Sequence, residues 1–418
     1  MKKTQSFKIF KLSATLINAL ALIYFTFQLL NQPFLHGNEM PLIQGAAYFK
    51  NIILNIEDKP AQKDFMFIDV AYDKQLVDKL DTNGFPMGKQ PIIDRKKLAK
   101  FLKILNSKPN NQKFVICDIF FADPAQPDDC AGDTISPDVQ LKAELAKMKN
   151  VVLSYHFKND KDSLDLPIFL DAPRGIADYT TTNNTFLKFS LLHRDTIKSS
   201  PLIMYEYLHK QRLKKKNGFY WLNGKRVLKS FIVDFRIRNY DLFISKDHYK
   251  VDNLDALLTL DDKEVLGHVK DRIIIIGDFQ TDKHETIYGE TVGPLILLNT
   301  YLALVYGDNV ITPVFLLFLF VCFFGISVMV FYPRNLFESW LIKTFENTQF
   351  KYAITFLSYM SILIVTSLLS FFIFNTHLSI LLLTIYLWLL KNITRFVYRQ
   401  VGWVEKNEKL KVQNEEFA

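Results

Sequence analysis

The chain has 418 residues, of which 49% are hydrophobic and 22% are charged, with a formal net charge of +8 and three cysteines. This composition provides ample apolar material for a core and excludes a disordered or collagen-like chain. Three cysteines cannot form a disulfide framework, because one thiol always remains. Cys322 lies in an apolar run, so at most Cys117 and Cys130 could pair with each other.

The basic excess is concentrated at the two ends of the chain. Residues 31–310 carry 38 Lys and Arg against 37 Asp and Glu, and the flanks carry the other 13 basic and 6 acidic residues. Nucleic-acid binding requires a concentrated basic surface. Because the excess instead lies beside hydrophobic runs, we expect these basic residues to face the lipid bilayer, and we expect no nucleic-acid partner.

Four apolar runs are candidates to cross a membrane core of about 30 Å. The first, Leu12 to Leu30, ends in large residues, which favours an uncleaved anchor over a signal peptide. The second and third are Pro313 to Tyr332 and Tyr352 to Phe374. The fourth begins as Leu378 to Leu390 and reaches spanning length only by continuing past Lys391.

Lys and Arg concentrate on the cytoplasmic side of membrane spans. The N-terminus has four of them, residues 333–351 have three, the segment from Lys391 onward has six, and the turn at 375–377 has none. Both termini are therefore expected in the cytoplasm. The predicted organisation is a cytoplasmic N-terminus at 1–11, spans at 12–30, 311–332, 352–374 and 376–397, an extracytoplasmic domain at 31–310, a cytoplasmic loop at 333–351 and a cytoplasmic tail at 398–418.

Short apolar runs rich in Val, Ile and Phe recur between residues 31 and 310 without polar alternation. Such runs are typical of strands buried on both faces of a parallel sheet. Helical patterns separate them, which predicts an α/β extracytoplasmic domain with a mainly parallel sheet, plus four transmembrane α-helices, one N-terminal and three C-terminal. An inserted β-rich region is expected near residues 215–250. The predicted strands are Phe65 to Asp69, Phe114 to Asp118, Val151 to Tyr155, Phe231 to Val233 and Ile273 to Ile276.

Three helices of this domain are predicted from capping residues and from apolar residues repeated every three or four positions. Their starts are Asp94, Ser136-Pro137 and Gly293-Pro294.

Asp69, Asp118 and Asp278 each lie at the carboxyl end of a predicted strand. In open α/β sheets this edge is where crevices form and ligands bind. The three carboxylates could therefore line one pocket, together with Asp282 and His284. Capping of the following helix or turn is the alternative role for each acidic residue.

A second acidic group could supply oxygen ligands to a divalent cation. Its spacing does not fit a calcium loop, and two prolines make the segment an ordinary polar loop. We therefore expect neither a metal nor another cofactor. The members of this group are Asp118, Asp123, Asp128, Asp129 and Asp133.

Several short segments follow one another in a distinctive order. They are Phe67-Ile68-Asp69 with Asp73, Pro91 to Leu98, Val115 to Phe121, Val269 to Thr286, and Gly293-Pro294. Together with one N-terminal span, a large extracytoplasmic domain and three closely spaced spans, this order resembles the type-two CHASE family. These are the cyclase and histidine-kinase associated sensing extracellular domains of bacteria. The resemblance covers nearly the whole chain, from the first span to the fourth.

The resemblance implies a sensor without enzymatic activity in the bacterial cytoplasmic (inner) membrane, whose periplasmic domain binds a small molecule or an envelope protein. Members of the family commonly continue into a cytoplasmic kinase, cyclase or phosphatase domain, whereas this sequence ends shortly after the fourth span. We therefore expect output through a separate signalling or envelope-complex protein, and a homodimer is compatible with the family. The expected ligand-binding residues are Asp69, Asp73, Arg95, Asp118, Asp278, Asp282, His284 and Thr286.

Two other functions fit the same sequence. The α/β domain could act only as a docking surface in a structural subunit of an envelope complex. Alternatively, Asp69, Asp118 and Asp278 could surround a metal in a periplasmic hydrolase. The sequence specifies neither the ligand nor the partner.

Overall fold

The computed structural model describes residues 2–32, 39–50, 59–81, 83, 85–125, 135–157, 164–165, 168–182, 185–244, 249–332 and 348–415. Internal contacts divide the chain into two compact units. One comprises Met1–Ala46 and Ile311–Ala418 and contains the apolar helices, and the other is the α/β unit Ala47–Val310.

The helices are α1 (Lys2–Leu30), α2 (Met40–Tyr48), α3 (Arg95–Ser107), α4 (Pro137–Leu145), α5 (Ser200–His209), α6 (Asn239–Phe243), α7 (Leu254–Leu257), α8 (Asp262–Val269), α9 (Gly293–Tyr306), α10 (Pro313–Phe331), α11 (Thr348–Phe374) and α12 (Ile380–Glu415).

The strands are β1 (Phe65–Asp69), β2 (Lys74–Leu80), β3 (Pro86–Ile93), β4 (Phe114–Asp118), β5 (Val151–Phe157), β6 (Leu164–Asp165), β7 (Arg174–Ile176), β8 (Thr180–Thr182), β9 (Thr185–Ser190), β10 (Leu192–His193), β11 (Ile197–Lys198), β12 (Lys214–Lys216), β13 (Phe219–Leu222), β14 (Lys225–Val227), β15 (Ser230–Ile232), β16 (Val251–Asn253), β17 (Ile273–Gly277), β18 (Lys283–Thr286) and β19 (Gly289–Val292).

A mainly parallel sheet forms the centre of the α/β unit, which confirms the predicted fold class. Its strand order is β16-β1-β17-β4-β5, with β7 parallel and β6 antiparallel to β5. The pairing aligns Asp69 with Gly277, and Gly277 with Asp118. These three residues therefore form a row at the carboxyl edge of the sheet.

The sheet is buried on both faces, as its apolar strands predict. Alternate residues of β1, β4, β5 and β17 join a core that includes residues of α3, α4, α7 and α8. Helices α5 and α9 contact the same strands outside this core; the rings of Phe114 and Tyr207, for example, lie 5.3 Å apart. Strands covered on both sides cannot alternate polar with apolar residues, because neither face meets water.

The predicted helix starts are confirmed. The Asp94 carboxylate accepts hydrogen bonds from the backbone N–H groups of Lys96 (2.9 Å) and Lys97 (3.1 Å), which caps α3. Ser136 accepts from Asp138 N at 3.3 Å, with Pro137 at the first helical position of α4. Such caps each contribute about 1 kcal/mol by satisfying N–H groups that have no partner inside the helix.

The assignment of Phe231 to Val233 to the parallel sheet is wrong. Strand β15 pairs antiparallel with β9 in a second sheet of order β15-β9-β18-β19, in which β8 also pairs with β9. This strand is buried as well, so its apolar run could not be distinguished from that of a parallel strand.

The β-rich region also differs from its predicted bounds. It begins near Thr180 and ends at Ile232, before α6, and it includes the meander β12-β13-β14 and strands β8, β9 and β15 of the second sheet. The remaining strands of that sheet, β18 and β19, come later in the chain, after β17. The hairpin β2-β3 and the edge strand β16 were not predicted, because their residues are largely polar or the strand is very short.

The four predicted membrane spans are confirmed as helices long and apolar enough to cross a membrane. Their apolar parts are Ile9–Leu30, Pro313–Phe331, Ala353–Phe374 and Ile380–Tyr398. The last helix, α12, continues without interruption to Glu415.

Polar side chains connect the spans inside this unit. The Asn18 side-chain amide donates to Ser327 Oγ at 2.8 Å and accepts from the Tyr386 hydroxyl at 2.7 Å, so it joins α1, α10 and α12. In helix bundles of membranes, each such bond contributes about 0.6 kcal/mol on average.

Lys391 lies at the junction of two spans rather than at a surface. Its side chain is 4% exposed, and Nζ donates to the carbonyls of Met329 (2.7 Å) and Val330 (3.3 Å). A cation at the last turn of α10 satisfies carbonyls that have no partner in the helix and opposes the negative end of its dipole.

Glu39 caps the first turn of α12. One carboxylate oxygen accepts from the N–H groups of Ile380 (2.8 Å) and Leu381 (2.9 Å), and the other lies 2.7 Å from His377 Nε2. Ser367 Oγ lies 2.9 Å from the other ring nitrogen of His377. Because these groups share one network, the buried carboxylate and imidazole leave no polar atom without a partner.

Candidate functional site

A cleft of about 650 Å³ opens at the carboxyl edge of the parallel sheet. Its floor is the row in which β4 and β17 end, where open α/β sheets characteristically form binding crevices. Polar lining residues are Lys74, Arg95, Asp118, Asp123, His156, Asp178, Tyr179, Asp278, Asp282 and His284.

The structure brings five of the eight predicted ligand-binding residues together in this cleft and places the other three outside its lining. The residues in the cleft are Arg95, Asp118, Asp278, Asp282 and His284. The residues outside the lining are Asp69, Asp73 and Thr286.

Asp69 holds together the loops that follow β1 and β17. Its side chain is 2% exposed and accepts from the N–H groups of Ala71 (2.9 Å) and Phe279 (3.1 Å) and from the Gln280 side chain (3.2 Å). With these donors in place, the carboxylate fills the capping role that was the alternative to ligand binding.

Asp73 and Thr286 also make internal contacts. Asp73 accepts from Lys97 Nζ at 2.7 Å and from Asp255 N at 3.3 Å. The Thr286 hydroxyl donates to Gly289 O at 2.8 Å and so closes the turn between β18 and β19.

Asp118 and Asp282 converge beside the first residue of α9. A Cβ atom placed on Gly293 would lie 2.2 Å from Asp282 Oδ2 and 3.2 Å from Asp118 Oδ2. Only glycine leaves this space to both carboxylates, and the positive end of the α9 dipole lies next to them. The two acidic groups therefore share one small region of the cleft.

Two Asp–His pairs stand around these carboxylates. His284 Nε2 lies 2.9 Å from Asp282 Oδ1, and His156 Nδ1 lies 2.9 Å from Asp178 Oδ1. Each imidazole also meets an aromatic ring, with centroids 4.7 Å apart for His284 and Phe186 and 5.4 Å apart for His156 and Phe120.

The comparison with known families decides what kind of domain carries this cleft. The CHASE2 domain model matches residues 50–329. The chain belongs to the CHASE2 family. The predicted resemblance is therefore confirmed. No curated protein and no solved structure matches it. CHASE2 is a sensory extracellular domain, and with its four apolar helices the chain is a membrane protein that carries such a domain.

A sensory, non-catalytic family is consistent with the expectation of no enzymatic activity. Within the described part of the chain, no group of three or more His, Cys, Asp or Glu residues is arranged to hold a metal ion. Of the acidic loop considered for a metal, Asp128, Asp129 and Asp133 lie outside the described residues. Cys117 is a buried free thiol, and Cys130, its possible partner, also lies outside them.

Sequence reasoning missed several residues of the CHASE2 cleft, among them His156, Asp178 and Tyr179. His156 follows the predicted strand Val151 to Tyr155, so the strand-end criterion that selected Asp118 would also have found it. Asp178 and Tyr179 follow β7, which has three residues and carries no recognisable pattern.

The electrostatics of the cleft centre on Asp118. Burial and the neighbouring charge of Asp282 raise its pKa to about 7, against smaller opposing effects of Ser154, His156 and His284. For His156, burial opposes protonation, but the hydrogen bond and charge of Asp178, with Asp118 and Asp282, raise its pKa overall. Burial raises the Tyr179 pKa well above its usual value, so the phenol stays neutral.

Arg95 forms another wall of the cleft, at the first residue of α3. It is 2% exposed, Nη2 donates to Asp123 O at 2.9 Å, and Nε lies 3.5 Å from Asp138 Oδ1. The guanidinium lies over the ring of Phe121 at 4.4 Å. Burial lowers its pKa to about 10, partly offset by Asp138, so it stays charged at neutral pH.

Asp118→Asn should remove a pH dependence from the stability of the protein. The folded state holds a proton on Asp118 up to about pH 7, whereas the unfolded chain loses it near pH 4, so unfolding becomes easier as pH rises through this window. We expect the melting temperature of the wild type, in detergent, to fall more steeply between about pH 4 and pH 7 than that of Asp118→Asn.

The control for this prediction is Asp171→Asn. Asp171 is exposed and its pKa is lowered by Lys142, so its titration lies below the window and the variant should keep the wild-type slope. Equal slopes for the wild type and Asp118→Asn would contradict the assigned ionisation of Asp118.

Proposed function

We propose that this protein is a sensor of the bacterial inner membrane whose CHASE2 domain binds a small molecule in the cleft and relays its state to a separate protein. The observation that carries this proposal is the convergence of Asp118 with two Asp–His pairs, Asp282–His284 and Asp178–His156, on one cleft at the carboxyl edge of the sheet. Concave sites with a few converging polar groups are typical of small-molecule binding.

The cleft suits a small molecule better than an extended protein surface. Its volume of about 650 Å³ lies within the range of small-molecule pockets, and each of its two imidazoles lies against an aromatic ring. A flat docking surface would not require a carboxylate such as Asp118, whose pKa is strongly raised, at the end of a buried strand.

Relay depends on the covalent connection of the CHASE2 domain to spans at both of its ends. A ligand shifts an equilibrium between two states only by the difference between its affinities for them. Helix α12 has 36 residues, or about 54 Å of length, against a membrane core of about 30 Å. Its extension beyond the membrane offers a helical surface that a partner can read.

We expect an extract of small molecules from the native host to contain a ligand for the cleft. Ala122 is exposed and lines the cleft, so Ala122→Trp fills it from the surface with little effect on the core. An extract fraction should raise the melting temperature of the wild type by a few degrees and leave Ala122→Trp unchanged.

The matched control is Ala256→Trp, at an exposed alanine of α7 that does not line the cleft. This variant should respond to the fraction like the wild type. If no fraction raises the melting temperature, or if Ala122→Trp responds equally, the cleft is not a small-molecule site.

A partner should be recovered by crosslinking the protein in its native membrane and purifying it in detergent. We expect one signalling protein in the crosslinked material, with a yield that changes when the active extract fraction is added. Deletion of residues 401–418 should reduce this yield, since it removes most of the helix beyond the membrane.

Three outcomes of the crosslinking experiment would argue against relay to a separate protein. A stoichiometric partner whose yield ignores the extract would favour a docking subunit of an envelope complex. Crosslinks only between copies of this chain would indicate that its partner is a second copy of itself, in a homodimer. A protein that always purifies alone, with or without residues 401–418, would contradict relay.

The orientation follows from the distribution of Lys and Arg. Four of them precede the first span, three lie in residues 333–351 and six lie from Lys391 onward, while residues 375–377 have none. Alkaline phosphatase fused after Ser200 should be active outside the cytoplasm, and a fluorescent protein fused after Ala418 should mature inside. The reverse pattern would place the CHASE2 domain in the cytoplasm.

A further inference from the structure

The charge pattern of the cleft indicates the class of ligand. Three of its carboxylates have a basic side chain within 4 Å: Asp282 has His284, Asp178 has His156, and Asp278 has Lys74 at 3.4 Å. Among the described residues, Asp118 has no such partner although it faces the cleft. Asp123, the other lining carboxylate without an ion-pair partner among the described residues, is exposed. Asp118 is half-buried at the end of β4, and Asp282 lies beside it.

A protonated primary amine fits this position. Both carboxylates reach the space beside Gly293, and an ammonium group donates three hydrogen bonds, which these oxygens can accept. The rings of Phe120, Tyr179 and Phe186 line the same cleft, and aromatic rings attract cations. Since no metal-binding group of His, Cys, Asp and Glu occurs in the described part of the chain, an organic cation fits better than a metal ion.

Arg95 gives a second, independent indication. The residue is 98% buried and lines the cleft, and its Nη1 has no hydrogen-bond acceptor among the described residues. A buried donor without a partner is destabilising unless a ligand oxygen satisfies it. A guanidinium binds carboxylates especially well. The ligand that matches the cleft thus carries an anionic oxygen as well as an amine.

We propose that the cleft binds an amino-acid-like zwitterion, with its ammonium group at Asp118 and Asp282 and its carboxylate at Arg95. This inference rests on the proposed function and specifies its ligand class. A dianion such as phosphate is disfavoured, because the lining has five Asp residues against one Lys and one Arg. The aromatic rings between the polar groups would contact the carbon chain of the ligand.

The probes that test this proposal are three matched series. Glycine, β-alanine and γ-aminobutyrate carry both charged groups at increasing separations. Acetate, propionate and butyrate lack the amine, and methylamine, ethylamine and propylamine lack the carboxylate. Binding to the full-length protein in detergent at neutral pH is measured by calorimetry.

We expect at least one zwitterion to bind more tightly than its amine and its carboxylate counterparts by about tenfold each, the effect of one charge-assisted hydrogen bond. Asp118→Asn and Asp282→Asn should each weaken it by at least about tenfold, whereas Asp171→Asn should bind like the wild type. Affinity in the wild type should also fall as pH drops below about 7, because a proton then competes with the ammonium group at Asp118.

Tighter binding of the plain carboxylates or of the plain amines would overturn the zwitterion proposal, as would zwitterion binding that Asp118→Asn leaves unchanged. Absence of binding by every probe would also overturn it. In each of these cases the broader sensor proposal stands if an extract fraction still stabilises the wild type and not Ala122→Trp. If no extract fraction does so, both proposals are wrong.

Discussion

The architecture of the candidate site depends on the parallel pairing of β17 between β1 and β4. These strands are far apart in the sequence, yet their register places Asp69, Gly277 and Asp118 side by side at one edge. Parallel strands present all their carboxyl ends to the same side, so the loops that follow them must meet there. The cleft, the convergence of Asp118 with Asp282 and the start of α9 all follow from this one arrangement.

Asp69 and Asp118 occupy equivalent positions on that edge but have different surroundings. Asp69 and Asp118 end β1 and β4, the two strands on either side of β17, and these strands have the same apolar pattern. The loops after β1 and β17 supply N–H donors to Asp69, so its charge is satisfied within the fold. Asp118 receives no cationic partner among the described residues and keeps its carboxylate toward the cleft. Sequence position alone could not separate the two, because the difference lies in the surrounding loops.

The sequence predicted those features that depend on local patterns. The spans, the caps at Asp94 and Ser136, and most core strands could be found because length, periodicity and capping chemistry act over a few residues. The strand at Phe231 was assigned to the wrong sheet, since burial on both faces occurs in either kind of pairing. Tyr179 and Asp178 follow a strand of three residues and meet Asp118 only through tertiary structure. Contacts such as that between Glu39 and His377 likewise join residues too distant for any local pattern to connect.

Asp118 is a largely buried carboxylate without an ion-pair partner among the described residues, and burying such a charge is costly. Protonation lowers this cost for Asp118, because its pKa of about 7 leaves the carboxyl group partly neutral near physiological pH. An ammonium ligand would supply the missing positive charge and displace that proton. The raised pKa that lowers the cost of burying Asp118 would thus favour cations over neutral molecules as ligands, and binding of a cation would be linked to release of this proton. With the proposed ligand, such a sensor would respond both to the concentration of that ligand and to the pH around the cleft.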